Sequence, residues 1–421
     1  MWKASQFNII RKIDDDTIIW NSRTGAVAKL DNEVLHYLIN PANTILADNT
    51  VKLLAENGFI VPYESNEAEE IIANAKDATM NADGLYYVIA PTLACNYRCT
   101  YCFENGRTIY TSMTPEIAAA VVKFIEAAIL KRKRTDYLHI NWFGGEPLLQ
   151  IETIKKLSMD LIALCRKYKI QYRASIVTNG RFLDKSTAEL LRSIKINRVQ
   201  ISVDGTEKHY CERKQASAQD YKVTLNNIKS AADVLHNIVV RINTSHGDFT
   251  EAYKLTKLLL TDYQLNGKIK ISCANTYEGT QEDRMREYPI YASQEESFRN
   301  IFGKEYSKNS YHGPRSRARR MTCGLVCRDR FCIGPEGELY KCEHHFGQSD
   351  HIVGTIFGER NPELIEEFEN ADLQTLNGGE CKRCSVFPVC LGGCPNHTMK
   401  GENPFDCEAY KDYLFSLAIR P

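Results

Sequence analysis

Apolar and polar positions change rhythm twice along the chain. In the first sixty residues apolar side chains come in short runs, "FNIIRKI", "TIIW" and "AVAKL", which predict three strands, with "NSRTG" as the turn between the last two. Asp31 is placed to cap a helix at "NEVLHYLI", and "NTVKLLAENG" predicts a second helix ending at Gly58. Residues 1–63 thus read as a small strand–helix module. The polar, acidic, helical stretch that follows, "SNEAEEIIANAKDA", reads as a linker over 64–83. From Gly84 to about 310 strands and amphipathic runs alternate. The strands are "LYYVIAPT", "YLHINWF", "YRASIVT", "VQISV", "IVVRIN" and "KIKIS". The helices between them start at Thr114-Pro115-Glu116 and then fall at 151–168, 184–194, 220–236 and 250–260. Six strands with crossover helices predict an α/β fold built on a parallel sheet, open or curved into part of a barrel.

In such folds the functional site lies at the carboxyl ends of the strands. The polar motifs fall there: the loop "CNYRCTYC", Gly144-Gly145-Glu146-Pro147, Thr178-Asn179-Gly180, Ser202-Val203-Asp204-Gly205, and Asn243.

Charge and composition narrow the class. Lys plus Arg and Asp plus Glu are 53 each, so the basic excess of a nucleic-acid binder is missing. No signal peptide and no membrane-length apolar stretch is visible, and a cytoplasmic protein without membrane partners is expected. Cysteine stands out, with 15 residues. In a reducing compartment such clusters point to metal or catalysis rather than disulfides. Cys95, Cys99 and Cys102 form one group; Cys323, Cys327, Cys332, Cys342, Cys381, Cys384, Cys390, Cys394 and Cys407 form another. Cys165, on an apolar face with Ile154, Leu157 and Leu161, and Cys273, at the end of a strand, read as small buried residues. Three thiolates in one compact loop suit an iron–sulfur cluster with one iron left open. A structural zinc knuckle is the alternative, but the loop offers zinc no histidine as a fourth ligand.

The Cys-x3-Cys-x2-Cys loop, with Tyr101 before the third cysteine, resembles the signature of radical S-adenosylmethionine (radical SAM) enzymes. Gly144-Gly145-Glu146-Pro147 and the strand-end polar residues reinforce the resemblance over roughly 84–300. It implies a partial (β/α)6 TIM-like barrel over 84–310. It also implies a four-iron cluster on Cys95, Cys99 and Cys102 whose open iron chelates S-adenosylmethionine. One electron then cleaves the sulfonium, and a 5′-deoxyadenosyl radical abstracts hydrogen from the substrate. By the same resemblance Gly144, Gly145, Glu146 and Pro147 lie at the methionine ammonium and Tyr101 near the adenine. Ser202 and Asp204 lie near the ribose and carboxylate, and Asn243 belongs to the same cofactor site. The spacing from Cys323 to Cys407 is similar to the SPASM domain, expected here over 311–421, which carries two auxiliary four-iron clusters. One would take Cys381, Cys384, Cys390 and Cys407. The other would take Cys323, Cys342 and Cys394, with Cys327 as the fourth ligand and Cys332 as its possible replacement. Three four-iron clusters and S-adenosylmethionine are therefore the expected cofactors. The basic run "RSRARR" at 315–320 reads either as an offset for cluster charge or as a solvated surface.

Enzymes of this kind act mostly on peptides or proteins. The 1–63 module resembles the winged-helix leader-recognition element of peptide maturases, which implies a precursor peptide with a leader and a thioether or carbon–carbon cross-link as product. The competing expectation is an anaerobic sulfatase-maturating enzyme that makes formylglycine from Cys or Ser. An iron–sulfur electron carrier would explain the cysteines but not the strand-end motifs. A low-potential donor such as flavodoxin or ferredoxin is the expected redox partner. Glu343, beside Cys342, is the candidate catalytic base, since sulfatase maturases carry a carboxylate there.

Overall fold

The computed structural model describes residues 1–41, 44–104, 110–244, 249–275, 318–319, 323–377, 379–396 and 407–419. Most of the basic run at 315–320 lies outside them. The chain divides into two compact units: Met1–Asn81 with His312–Arg328 and Phe368–Pro421, and Ala82–Tyr311 with Asp329–Glu367.

In the first unit, strands β2 (Asn8–Ile13), β3 (Asp16–Asn21) and β4 (Val27–Leu30) form an antiparallel sheet in the order β2-β3-β4. The sequence pattern did not mark β1 (Trp2–Ala4) and β5 (Ile60–Pro62), which pair with each other. Helix α1 (Asn32–Ile39) begins where Asp31 accepts a hydrogen bond from Val34 N, and α2 (Asp48–Glu56) follows. Ile19, Leu30, Tyr37, Leu38, Leu54 and Ile60 close a core between these elements.

The stretch read as a linker is instead packed structure. It forms α3 (Glu67–Met80), whose Ile71, Ile72 and Ala75 meet Phe7, Phe387 and Leu391. An acidic exterior hid a short apolar stripe. Trp20, fully buried, packs with Val386, Val389, Leu414 and Phe415. N-terminal module and C-terminal cysteine segment therefore share one core, which a reading by linear segments does not foresee.

In the second unit the six expected strands appear as β6 (Gly84–Ile89), β7 (Tyr137–Trp142), β8 (Gln171–Thr178), β9 (Ile196–Ser202), β10 (Ile238–Thr244) and β11 (Ile269–Asn275). They pair in parallel, each with the next in sequence. The connecting helices are α4 (Pro115–Lys131), α5 (Ile151–Tyr168), α6 (Lys185–Ser193), α7 (Glu207–Lys214), α8 (Ala218–Ala232) and α9 (Thr250–Leu260). Alternation along β7 explains its face: Leu138, Ile140 and Trp142 are fully buried, while His139 and Asn141 are half-buried on the other side. Cys165 is buried on α5 beside Leu157 and Leu161, as its periodicity predicts. Cys273 lies within β11 and is only half-buried.

Among the described residues the sheet has nine strands, not six. β12 (Phe331–Ile333) adds in parallel beside β6, and β13 (Glu338–Tyr340) and β14 (Gly354–Thr355) extend it antiparallel. Part of the segment expected as a separate C-terminal domain thus belongs to the sheet. Among the described residues no helix is long and apolar enough to cross a membrane.

Candidate active site

The loop after β6 carries Cys95, Cys99 and Cys102, all half-buried. It is pinned from two sides. Arg98 N and Thr100 N donate to the carbonyls of Lys214 (3.3 Å) and Arg213 (2.8 Å) at the end of α7. Gly145 N and Glu146 N donate to the carbonyls of Thr92 (3.1 Å) and Ala94 (2.8 Å) just before Cys95. Glycine is required at that contact. A Cβ on Gly144, whose φ is +108°, would meet Thr92 O at 2.3 Å, and one on Gly145 would meet Ala94 O at 2.3 Å.

Glu146 joins two motifs that are far apart in sequence. It is 1% exposed and accepts from Leu148 N (3.0 Å), Thr178 Oγ1 (2.7 Å) and Asn179 N (2.8 Å). Burial raises its proton affinity, and these donors pull it back only in part. Asn179 Nδ2 in turn reaches Asn96 Oδ1 at 2.8 Å, inside the cysteine loop. Pro147 is buried and opens the short turn that leads into α5.

Tyr101, Ser202, Asp204 and Asn243 converge on one point. Tyr101 donates to Asp204 Oδ2, and Asn243 Nδ2 donates to Asp204 Oδ1 at 3.0 Å. The fifth member was not foreseen. Lys214 Nζ lies 3.4 Å from Asp204 Oδ2, 3.3 Å from Ser202 Oγ and 3.4 Å from Tyr101 Oη, and its side chain is 1% exposed. Burial works against its charge. Asp204 foremost, then Tyr101, outweighs that and holds Lys214 well above the ordinary lysine value, hence charged. The sequence hid it because the only apolar residues of "EKHYCERK", Tyr210 and Cys211, are adjacent and form no helical stripe, so α7 itself was missed. Arg213 lies over the Tyr101 ring at 4.7 Å.

Three soft thiols in one loop suit an iron–sulfur cluster by their chemistry, but among the described residues no three Cys, His, Asp or Glu side chains are gathered to hold a metal ion. Tyr97 N points at Cys95 Sγ at 3.5 Å, and the three thiols lie within Coulombic reach of one another. Burial pushes the Cys95 thiol up to about 12, which works against the thiolate form. The next residue, Phe103, stacks on Phe143 (6.2 Å) and on His344 (4.3 Å). His344 follows Glu343, which is half-buried and acts on the Tyr86 hydroxyl on the sheet.

The second cysteine group is spread over both units. Cys381, Cys384, Cys390 and Cys407 lie in the first unit, where Cys384 and Cys407 act on both Cys381 and Cys390. Cys323, Cys327 and Cys394 belong to the same unit, Cys342 to the other. Cys332 is a core residue of the sheet, packed with Val88, Tyr340 and Phe346.

The class follows from comparison. Residues 89–256 match the Radical SAM superfamily. That stretch is under half of the chain, and the chain is similar over it both to a radical SAM cyclopropyl synthase and to sulfatase-maturating enzymes. It is 30% identical over 222 residues to the radical SAM cyclopropyl synthase TigE of Paramaledivibacter caminithermalis, covering 45% of this chain and 46% of that one. It therefore spans about half the length of that relative. It is 24% identical over 360 residues to the cysteine-type anaerobic sulfatase-maturating enzyme of Clostridium perfringens, covering 76% of this chain and 92% of that one. Two solved structures share the fold. Streptococcus suis SuiB bound to S-adenosylmethionine has a TM-score of 0.53 at 16% identity, covering 96% of this chain and 97% of that one. The enzyme anSMEcpe with bound AdoMet has a TM-score of 0.58 at 20% identity, covering 80% of this chain and 95% of that one.

Proposed function

We propose that this chain is a radical SAM/SPASM maturase of a ribosomally made precursor peptide, installing a thioether or carbon–carbon cross-link. A four-iron cluster on Cys95, Cys99 and Cys102 would supply the electron that cleaves S-adenosylmethionine. The chain's own residues do the rest. Tyr101, Ser202, Asp204, Asn243 and Lys214 form a buried, pre-paired polar wall beside the thiols, which orients the cofactor's polar groups without rearrangement. The backbone carbonyls of Gly144 and Gly145 offer acceptors to an ammonium. The Glu146 side chain is consumed by its three donors, so it positions the motif rather than touching the ligand. Cys381, Cys384, Cys390 and Cys407 would hold one auxiliary cluster, and Cys323, Cys327, Cys342 and Cys394 a second. Glu343 is retained as the candidate base because it sits beside the Phe103–His344 stack.

The observation that carries the peptide-maturase reading is the outer edge of β4, beside which no strand lies among the described residues. Asn21 N donates to Ala26 O at 2.9 Å. Antiparallel pairs alternate, so Ala28 and Leu30 also point their backbone groups at β3, while Val27 and Lys29 point theirs outward. That edge can accept an extended leader as a fourth strand. The likeness in fold to SuiB over nearly the whole chain supports the same reading. The sulfatase-maturating alternative is favoured by relatives that cover 92% of their own length. Val27→Pro separates the two. It removes an outward N–H while leaving the β3–β4 ladder whole. Leader-dependent turnover of a cognate precursor should fall at least tenfold, with 5′-deoxyadenosine formation in the absence of peptide unchanged. Formylglycine appearing in a sulfatase peptide at equal rates in both proteins would instead establish the alternative.

A further inference from the structure

A parallel sheet covered on both sides is apolar on both. This one is apolar on one. On the side where Tyr87 meets Phe124 of α4, Leu138, Ile140, Ile176, Val199 and Ile201 are fully buried. On the other side register sets Tyr86 beside His139 and Asn141 beside Ser175, and alternation along β9 adds Gln200 and Ser202. Over β6 that side is closed by Val88, which shares a core with Tyr340 and Phe346. From β7 onward it turns polar. The β8–β9 register slips by one residue between Ala174 and Ser175. Such irregularities re-aim side chains and gather next to functional sites.

Three of these side chains form one hydrogen-bonded row. Buried Ser175 donates its hydroxyl proton to Asn141 Oδ1 at 2.8 Å. A serine hydroxyl has a single proton, so the His139 Nε2 that lies 3.0 Å from Ser175 Oγ carries its own and donates it. The imidazole is thereby fixed with its proton on Nε2, and Nδ1 is left as an acceptor. Burial first, then Arg173, Arg198 and Arg330, push His139 down to about 4. So low a value makes the ring a poor base at neutral pH but keeps it uncharged, and only an uncharged ring can accept. Among the described residues nothing donates to Nδ1, and Asn141 Nδ2 meets no acceptor. The row therefore presents an acceptor and a donor two residues apart on one strand. A peptide main chain offers the matching groups, N–H and C=O, and both need partners where water is excluded.

We infer that His139 binds the main chain of the peptide to be modified: its Nδ1 accepts from a backbone N–H, Asn141 Nδ2 donates to a backbone carbonyl, and Ser175 is the positioning residue that holds the ring. The inference rests on the reading of the substrate as a peptide, and adds how that peptide is held. Main-chain recognition is blind to side chains, so the choice of substrate falls to contacts elsewhere, the leader among them.

The test uses the full-length, cluster-loaded protein without S-adenosylmethionine or reductant. Diethyl pyrocarbonate, which acylates only neutral imidazole, is the reporter, and peptide mass mapping separates the rate at His139 from those of the other histidines. In the free protein that rate should stay level down to about pH 5, whereas an ordinary histidine slows below about 6.5. Acetyl-tetraalanine dimethylamide is the probe, a main chain without informative side chains. At about ten times its dissociation constant it should slow His139 acylation about tenfold by mass action. Its backbone N-methylated form keeps every carbonyl but has no N–H, and should leave the rate unchanged. Ser175→Ala should keep the level pH response, which burial sets, and raise the peptide concentration needed for protection about fivefold, the worth of one neutral hydrogen bond. Iron content and melting temperature report folding of that variant. Absent acylation of His139, a rate that falls below about pH 6.5, or protection that is missing or equal for the two peptides each overturns the inference. Protection unchanged by Ser175→Ala removes Ser175 from it. Failure of the peptide-maturase reading would show separately, as a precursor left unmodified in a reduced reaction while the probe still protects His139.

Discussion

The two cysteine settings are held in different ways. Around Cys95, Cys99 and Cys102 the order comes from hydrogen bonds between motifs: Glu146 to Thr178 and Asn179, Asn179 to Asn96, and Lys214 and Arg213 carbonyls to the loop. In the first unit Cys381, Cys384 and Cys390 instead lie against apolar cores built from Phe7, Ile71, Trp20 and Val389. Polar networks specify geometry closely but fail locally when a member is lost. Apolar cores tolerate local change but fail as a whole when one side is removed. The site of chemistry and the auxiliary cysteines should therefore respond differently to damage.

The largest expected effect comes from deleting residues 1–63. Separate modules would leave iron content untouched. The shared core predicts otherwise, because the deletion strips Phe7, Ile9 and Trp20 from Phe387, Val386 and Phe415. From about twelve irons per chain after anaerobic reconstitution, the truncated protein should fall to about four, held by Cys95, Cys99 and Cys102. Trp20→Ala is the graded version and should cost about 3–5 kcal/mol by denaturant melting of the first unit. A truncated protein with full iron would break the contrast.

Next is Lys214→Met. It leaves the Asp204 carboxylate buried beside Tyr101 without its cation, a loss of about 3–5 kcal/mol. S-adenosylmethionine affinity, measured by equilibrium dialysis, should fall with it, while the iron bound by the first unit stays. Unchanged stability would mean that the Lys214–Asp204 contact does not act as a buried ion pair.

How far these features could be read in advance follows the same division. The strand-end motifs were legible because chain order and sheet order coincide from β6 to β11, so each motif sits at the end of a strand whose neighbour is next in sequence. Asp31 and Thr114 were legible because a cap acts over three residues. Lys214 was not, since its partners are 10 or more positions away and its helix lacks apolar periodicity. The α3 stripe and the shared core were not, because packing between Trp20 and Phe415 leaves no trace in either segment alone. Nor was β12, three residues among cysteines, whose pairing with β6 bridges more than two hundred positions.

A smaller effect tests whether the polar network is as local as the contrast claims. Thr178→Val removes one of three donors to buried Glu146 and keeps the shape of the side chain. The expected loss is about 1–2 kcal/mol in the second unit, with melting of the first unit unmoved. Coupled loss in both units would show that they unfold together.

The smallest effect concerns the helix that carries Lys214. Glu251, at the start of α9, accepts from Thr206 N at 3.0 Å, from the Thr206 hydroxyl, and from Lys254 Nζ at 2.9 Å. Thr206 is the residue from which α7 begins, so Glu251 fastens the start of the helix whose end pins the cysteine loop. Burial alone would raise its proton affinity, but the bonds from Thr206 and Lys254 outweigh it and bring Glu251 down to about 2. A carboxylate depressed in the folded state stabilises it fully above its unfolded value of about 4.3. That contribution is lost as pH falls from there through about 2. Glu251→Gln should therefore cost about 1 kcal/mol at pH 7, with the gap between variant and wild type closing progressively below pH 4.3 in melting experiments run across that range. A gap that stays constant down to pH 2.5 would show that the hydrogen-bond geometry of the side chain, and not its charge, holds α7 in place.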